Sequence, residues 1–76
     1  MAAPQRYIVA GPPAMLRPLI DLLQTNPETV VHRVRPDAQG DPDSFDVSMD
    51  PARADALATV VAGTPIRIEP DVLLDL

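Results

Sequence analysis

The sequence predicts an α+β domain of order βαββαβ, a four-stranded antiparallel sheet with two helices on one face. Three observations predict it. Apolar residues recur at helical spacing in two segments, Leu16, Leu19, Ile20 and Leu23 in the first and Ala54, Leu57, Val60 and Val61 in the second. Four short β-rich or alternating runs surround these segments, bounded by Gly and Pro. With 76 residues and no cysteine, the chain is the size of a single domain with one light core.

Arg6-Tyr7-Ile8-Val9-Ala10 reads as the first strand, closed by Gly11-Pro12-Pro13. The first helix follows as far as Thr25. Pro18 is tolerable only in its first turn, where the missing N–H has no partner, so the regular helix is expected no earlier than about Met15. Asn26-Pro27 stops it. Glu28–Arg35 reads as the second strand, with Val30, Val31 and Val34 as its β-branched members. Pro36–Ser44 is a polar loop, and Phe45-Asp46-Val47-Ser48-Met49 alternates as a half-buried third strand. Asp50-Pro51 opens the second helix, with Asp as N-cap and Pro at the first helical position; Gly63 closes it in a left-handed conformation. Ile66–Glu69 is the fourth strand, limited by Pro70. Residues 1–5 are left as an N-terminal arm and 71–76 as an apolar-rich tail. Two right-handed β-α-β halves give the ferredoxin-like arrangement.

Composition excludes several classes of function. A net charge of −5, with six scattered arginines and no lysine, argues against nucleic acid, which needs clustered cations. No apolar run approaches the length of a membrane span. The first residues lack the basic and apolar segments of a secretory signal, so a cytoplasmic location is expected if Met1 is the native start. One histidine and no cysteine leave transition metals without a ligand set. The carboxylates of Asp37-Ala38-Gln39-Gly40-Asp41-Pro42-Asp43 do not have calcium-loop spacing and read as a solvated acidic turn. Gly11 followed by two prolines offers too few N–H groups to cradle phosphate. Nucleophilic catalysis needs a nucleophile, a base and an orienting group. The single His32, mid-strand and on core-face parity, reads as a half-buried edge histidine. No enzyme, cofactor or metal is expected.

Strand parity then defines a surface. Val30, Val34, Phe45, Val47, Met49, Ile66 and Ile68 are assigned to the helix side. Val31, Arg33, Arg35, Asp46, Ser48, Arg67 and Glu69 are assigned to the opposite, open side. Such a face is either a solvated surface with cross-strand charge pairs or a docking surface.

Four segments carry a resemblance across nearly the whole chain. Tyr7-Ile8-Val9, Val30-Val31-His32-Arg33, Phe45-Asp46-Val47-Ser48-Met49-Asp50-Pro51 and Ile66-Arg67-Ile68-Glu69-Pro70-Asp71 resemble, in order and spacing, the strands and second helix start of the subtilisin propeptides and their free-standing inhibitor relatives. The resemblance implies a βαββαβ domain whose open face packs against two helices of a subtilisin-type serine protease. It implies that Glu69 and Asp71 cap the N-termini of those helices. The tail Val72, Leu73, Leu74, Asp75 and Leu76 would enter the active-site cleft as a substrate does, with Leu76 nearest the primary pocket. Val31, Arg33, Asp46, Ser48 and Arg67 would be sheet-face contacts. The chain departs from the family in its five-residue tail after Asp71, in Asn26-Pro27-Glu28 where glycines are usual, and in Gly11-Pro12-Pro13 after the first strand. The alternatives are that the tail leucines fold back over the core, and that the domain is a non-inhibitory interaction or regulatory module, dimeric through its sheet.

Overall fold

Tyr7 and Val9 on one strand and Phe45, Val47 and Met49 on its neighbour fall at every second position, and all five are buried. This period-two pattern sets one side of the sheet toward the helices. The computed structural model describes residues 4–71. Its elements are β1 (Gln5–Ala10), α1 (Pro13–Gln24), β2 (Val30–Pro36), β3 (Pro42–Met49), α2 (Pro51–Val61) and β4 (Arg67–Pro70). The strands form one sheet in the order β2-β3-β1-β4, every neighbouring pair antiparallel. Each crossover skips one strand, α1 leading from β1 to β2 and α2 from β3 to β4, which is the ferredoxin-like arrangement. Gln5, expected in the arm, pairs with Met49 as the first residue of β1.

The core is built mainly by α1. Leu16, Leu19, Ile20 and Leu23 are buried against Tyr7, Val9, Phe45, Val47 and Met49, and each such side chain contributes about 1.5–3 kcal/mol by leaving water. The helix begins at Pro13, two residues before the expected start, so Pro18 lies in its interior. The missing N–H leaves the Ala14 carbonyl without its usual helical donor, but Ala14 is exposed and water reaches it. Packing of the four-residue apolar stripe outweighs the local cost. Beyond Gln24, the Thr29 hydroxyl donates to the carbonyls of Leu23 (3.0 Å) and Asn26 (3.2 Å), fixing the buried connection into β2.

α2 is anchored differently. The Asp50 side chain accepts from Ala52 N–H at 2.8 Å and Pro51 occupies the first turn, as expected. Only Ala54 and Val61 are buried, with Leu57 half-buried; Val60, assigned inward from sequence, is 76% exposed. At about 100° per residue, Val60 lies well off the line joining Ala54 and Val61. Beyond α2, Ala62 is extended and Gly63 has φ +85°. Thr64 N–H bonds to Val61 O at 3.0 Å, so Val61–Thr64 is a type II turn in which Gly63 holds the position that needs positive φ. Gly11 is required for another reason. A methyl group there would lie 3.1 Å from Ile66 Cγ1 and 3.2 Å from Ile66 Cα, so the turn after β1 and the approach to β4 touch backbone to backbone.

The β2–β3 connection is shorter than the expected loop. β2 continues to Pro36 and β3 starts at Pro42, the two prolines facing each other at the end of the ladder, where a missing N–H is tolerated. Asp37 organises the turn between them, its carboxylate accepting from the N–H groups of Gln39 (2.8 Å) and Asp41 (3.0 Å). The Asp41 carboxylate pairs with Arg17 on α1. No helix among the described residues is long and apolar enough to cross a membrane.

Candidate functional site

The side of the sheet turned away from the helices is assembled by register. One row runs Arg35, Ser44, Ala10 and Arg67 across β2, β3, β1 and β4. The next runs Arg33, Asp46, Ile8 and Glu69. The last runs Val30, Ser48 and Arg6, and Asp71 N–H extends it by bonding to Arg6 O at 2.9 Å. Side chains opposite one another in an antiparallel ladder share a face, so Arg33, Asp46, Ser48, Arg67, Glu69 and Asp71 lie together here as expected.

β2 corrects the sequence assignment at three positions. Val31 pairs with Val47 and packs against the core, so it is not a sheet-face contact. Val30 pairs with Ser48 and is 53% exposed on the open side, although parity assigned it inward. The cause is a bulge between Val31 and Arg33, where two steps of β2 face one of β3. His32 is the extra residue. It is exposed, not half-buried on core parity, and its Nε2 lies 2.7 Å from Ser48 Oγ. Past the bulge the strand is back in phase, and Val34 reaches the helix side, lining a hollow with Arg17 and Ile20 of α1.

The best-buried polar group of this face is Asp46, at 6% exposure. Arg35 covers it with two parallel bonds, Nη1 to Oδ1 at 2.8 Å and Nη2 to Oδ2 at 3.0 Å, a fork geometry that only arginine supplies. This bond raises the Arg35 guanidinium above its ordinary pKa; partial desolvation works against the rise, and the charges of Asp46 and Asp71 add to it. Arg35 therefore remains charged throughout the physiological range. Arg67 approaches Glu69 at 3.5 Å, with both side chains exposed, a contact worth little in water.

A serine and a histidine in hydrogen-bond reach raise the question of catalysis, because nucleophile and base must meet in this way. The third member is missing from the described residues. The nearest registered carboxylate, Asp46, has both oxygens engaged by Arg35. The pronounced hollows of the domain lie on the helix side, lined by residues such as Ile20, Leu23 and Leu57, not over Ser48. What this arrangement can do is present a charged surface with the half-buried aliphatic side chain of Ile8 between Asp46 and Glu69.

Sequence reasoning missed Arg6, Ile8, His32 and Val30 as members of this surface. Arg6 and Ile8 were legible: Tyr7 and Val9 are the only bulky alternating pair in β1, so their neighbours must face the other way. His32 and Val30 depend on the bulge. The tail residues expected to enter the cleft, Val72, Leu73, Leu74, Asp75 and Leu76, lie outside the described residues. No protein-family model, curated protein or solved structure matches this chain.

Proposed function

We propose that this chain is a docking domain without chemistry of its own that binds and inhibits, or chaperones the folding of, a subtilisin-type serine protease through its open sheet face and C-terminal tail. The observation that carries the reading is the placement of Glu69 and Asp71. They stand two residues apart, Glu69 on the open side of β4 and Asp71 just beyond its end, about 7 Å along the chain, with Glu69 exposed and Asp71 held by its N–H to Arg6 O. Two carboxylates so placed suit two helix N-termini on a partner, an interaction worth about 0.3–1 kcal/mol each when exposed and more when partly buried. Asp71 directly follows β4, so the tail that the proposal assigns to the cleft is joined to the docking surface. Extended peptides bind clefts by backbone pairing with side chains in alternate pockets, and Leu73, Leu74 and Leu76 would supply these.

Purified domain incubated with a panel of subtilisin-type proteases tests the reading. Inhibition and a stable complex are expected with at least one. A folded domain that neither inhibits nor binds any of them overturns it. Removing Leu73–Leu76 should weaken inhibition strongly while circular dichroism stays unchanged. The double change Glu69→Gln and Asp71→Asn should raise the inhibition constant by about three- to thirtyfold, as the loss of two such charge contacts implies.

A further inference from the structure

The arginines of this acidic chain are sorted. Four of the six (Arg6, Arg33, Arg35 and Arg67) fall on the open sheet face by register. Arg35 is taken by Asp46 and Arg67 approaches Glu69; on the helix side, Arg17 pairs with Asp41 and Arg53 with Glu28. Arg6 and Arg33 alone have no carboxylate within ion-pair distance among the described residues. Both are exposed. They are brought to one corner of the face, Arg6 on β1 opposite Ser48 and Arg33 on β2 beside His32, and His32 and Ser48 bond to each other between them. Arg6 and Arg33 stand on the strands either side of β3 and one open-face row apart, about 12 Å between backbones, with Ser48 and His32 between them. Asp46, registered with Arg33, cannot serve, since Arg35 occupies both of its oxygens.

We infer that the corner formed by Arg6, His32, Arg33 and Ser48 is a carboxylate-binding subsite, which takes an acidic patch on the protein that docks on the open face. The inference rests on reading that face as the docking surface and adds the partner's charge: carboxylates opposite this corner, positive potential opposite Glu69 and Asp71. The occupant is a protein surface and not a polyanion, because the net charge of −5 repels an extended run of phosphates. Guanidinium forks suit carboxylates geometrically, and complementary charge across an interface fixes docking orientation.

The test is a titration of the isotope-labelled domain with acetyl-tetraglutamate amide at low ionic strength, followed by amide shifts, with the tetralysine peptide as control. Shifts are expected at Arg6, His32, Arg33 and Ser48 with tetraglutamate, absent with tetralysine at this corner and suppressed by salt. In the variant Arg6→Gln/Arg33→Gln the affinity should fall about five- to tenfold; the single variants serve if the double variant loses its folded spectrum. No shifts, shifts elsewhere, or equal binding by the variants overturns the inference. Protease assays separate the two readings. Tetraglutamate binding at this corner without inhibition of any subtilisin-type protease would leave the subsite standing and remove the protease. Inhibition whose association rate is unchanged by Arg6→Gln/Arg33→Gln and by salt would do the reverse.

Discussion

α1 and α2 occupy equivalent places in the two β-α-β halves yet are held by opposite means. α1 has no side-chain N-cap bond and carries a proline in its interior, but buries four large aliphatic side chains. α2 has a side-chain cap and a well-placed proline, but buries only Ala54 and Val61. The difference teaches that local signals and core packing substitute for each other within one small domain. Where packing is strong, an unfavourable residue is carried; where packing is thin, the helix depends on its ends.

The contrast can be broken by mutation, read as shifts in urea or thermal unfolding. Leu16→Ala removes a fully buried side chain of α1 and should cost about 2–5 kcal/mol; a loss below 1 kcal/mol would contradict the assignment of α1 as the core-building helix. Pro18→Ala should stabilise the domain by about 2 kcal/mol, since proline in a helix interior costs about 3 and its stiffening of the unfolded chain returns part. An unchanged or lowered midpoint would mean that the proline suits its position. Asp50→Ala should destabilise by about 1 kcal/mol, lowering Tm by about 4–8 °C, and amide exchange should quicken in α2 before α1. Val60→Ser, on the exposed side of α2, should stay within about 0.5 kcal/mol.

The sequence yields the element order because alternation in β3 and the Leu16–Leu23 stripe are both strict. It misplaces the start of α1 because a proline rule was applied without the packing that overrides it. It assigns Val60 inward because Ala, Leu and Val crowd α2 and no polar stripe marks the outer side. On the candidate face, Asp46, Ser48, Arg67 and Glu69 follow from period two alone. Val31 does not, because parity counting passes straight through a bulge that sequence does not announce. The bidentate Arg35–Asp46 lock is equally hidden, being a matter of rotamer and reach across two strands.

The bulge at His32 also bears on how the strand tolerates change in length. With His32 left out of the count, Val30, Val31, Arg33, Val34 and Arg35 alternate perfectly between the two faces. The histidine is thus a supernumerary residue, and the strand's frame is written by its neighbours. Excising it should leave every other side chain of β2 on its present face and remove only the bond to Ser48. Excising Val31 instead, one position away, would keep the same frame but put His32 in the core-facing place that Val31 holds opposite Val47. The residue this strand can lose without cost to the core is therefore His32, on the open side of the sheet.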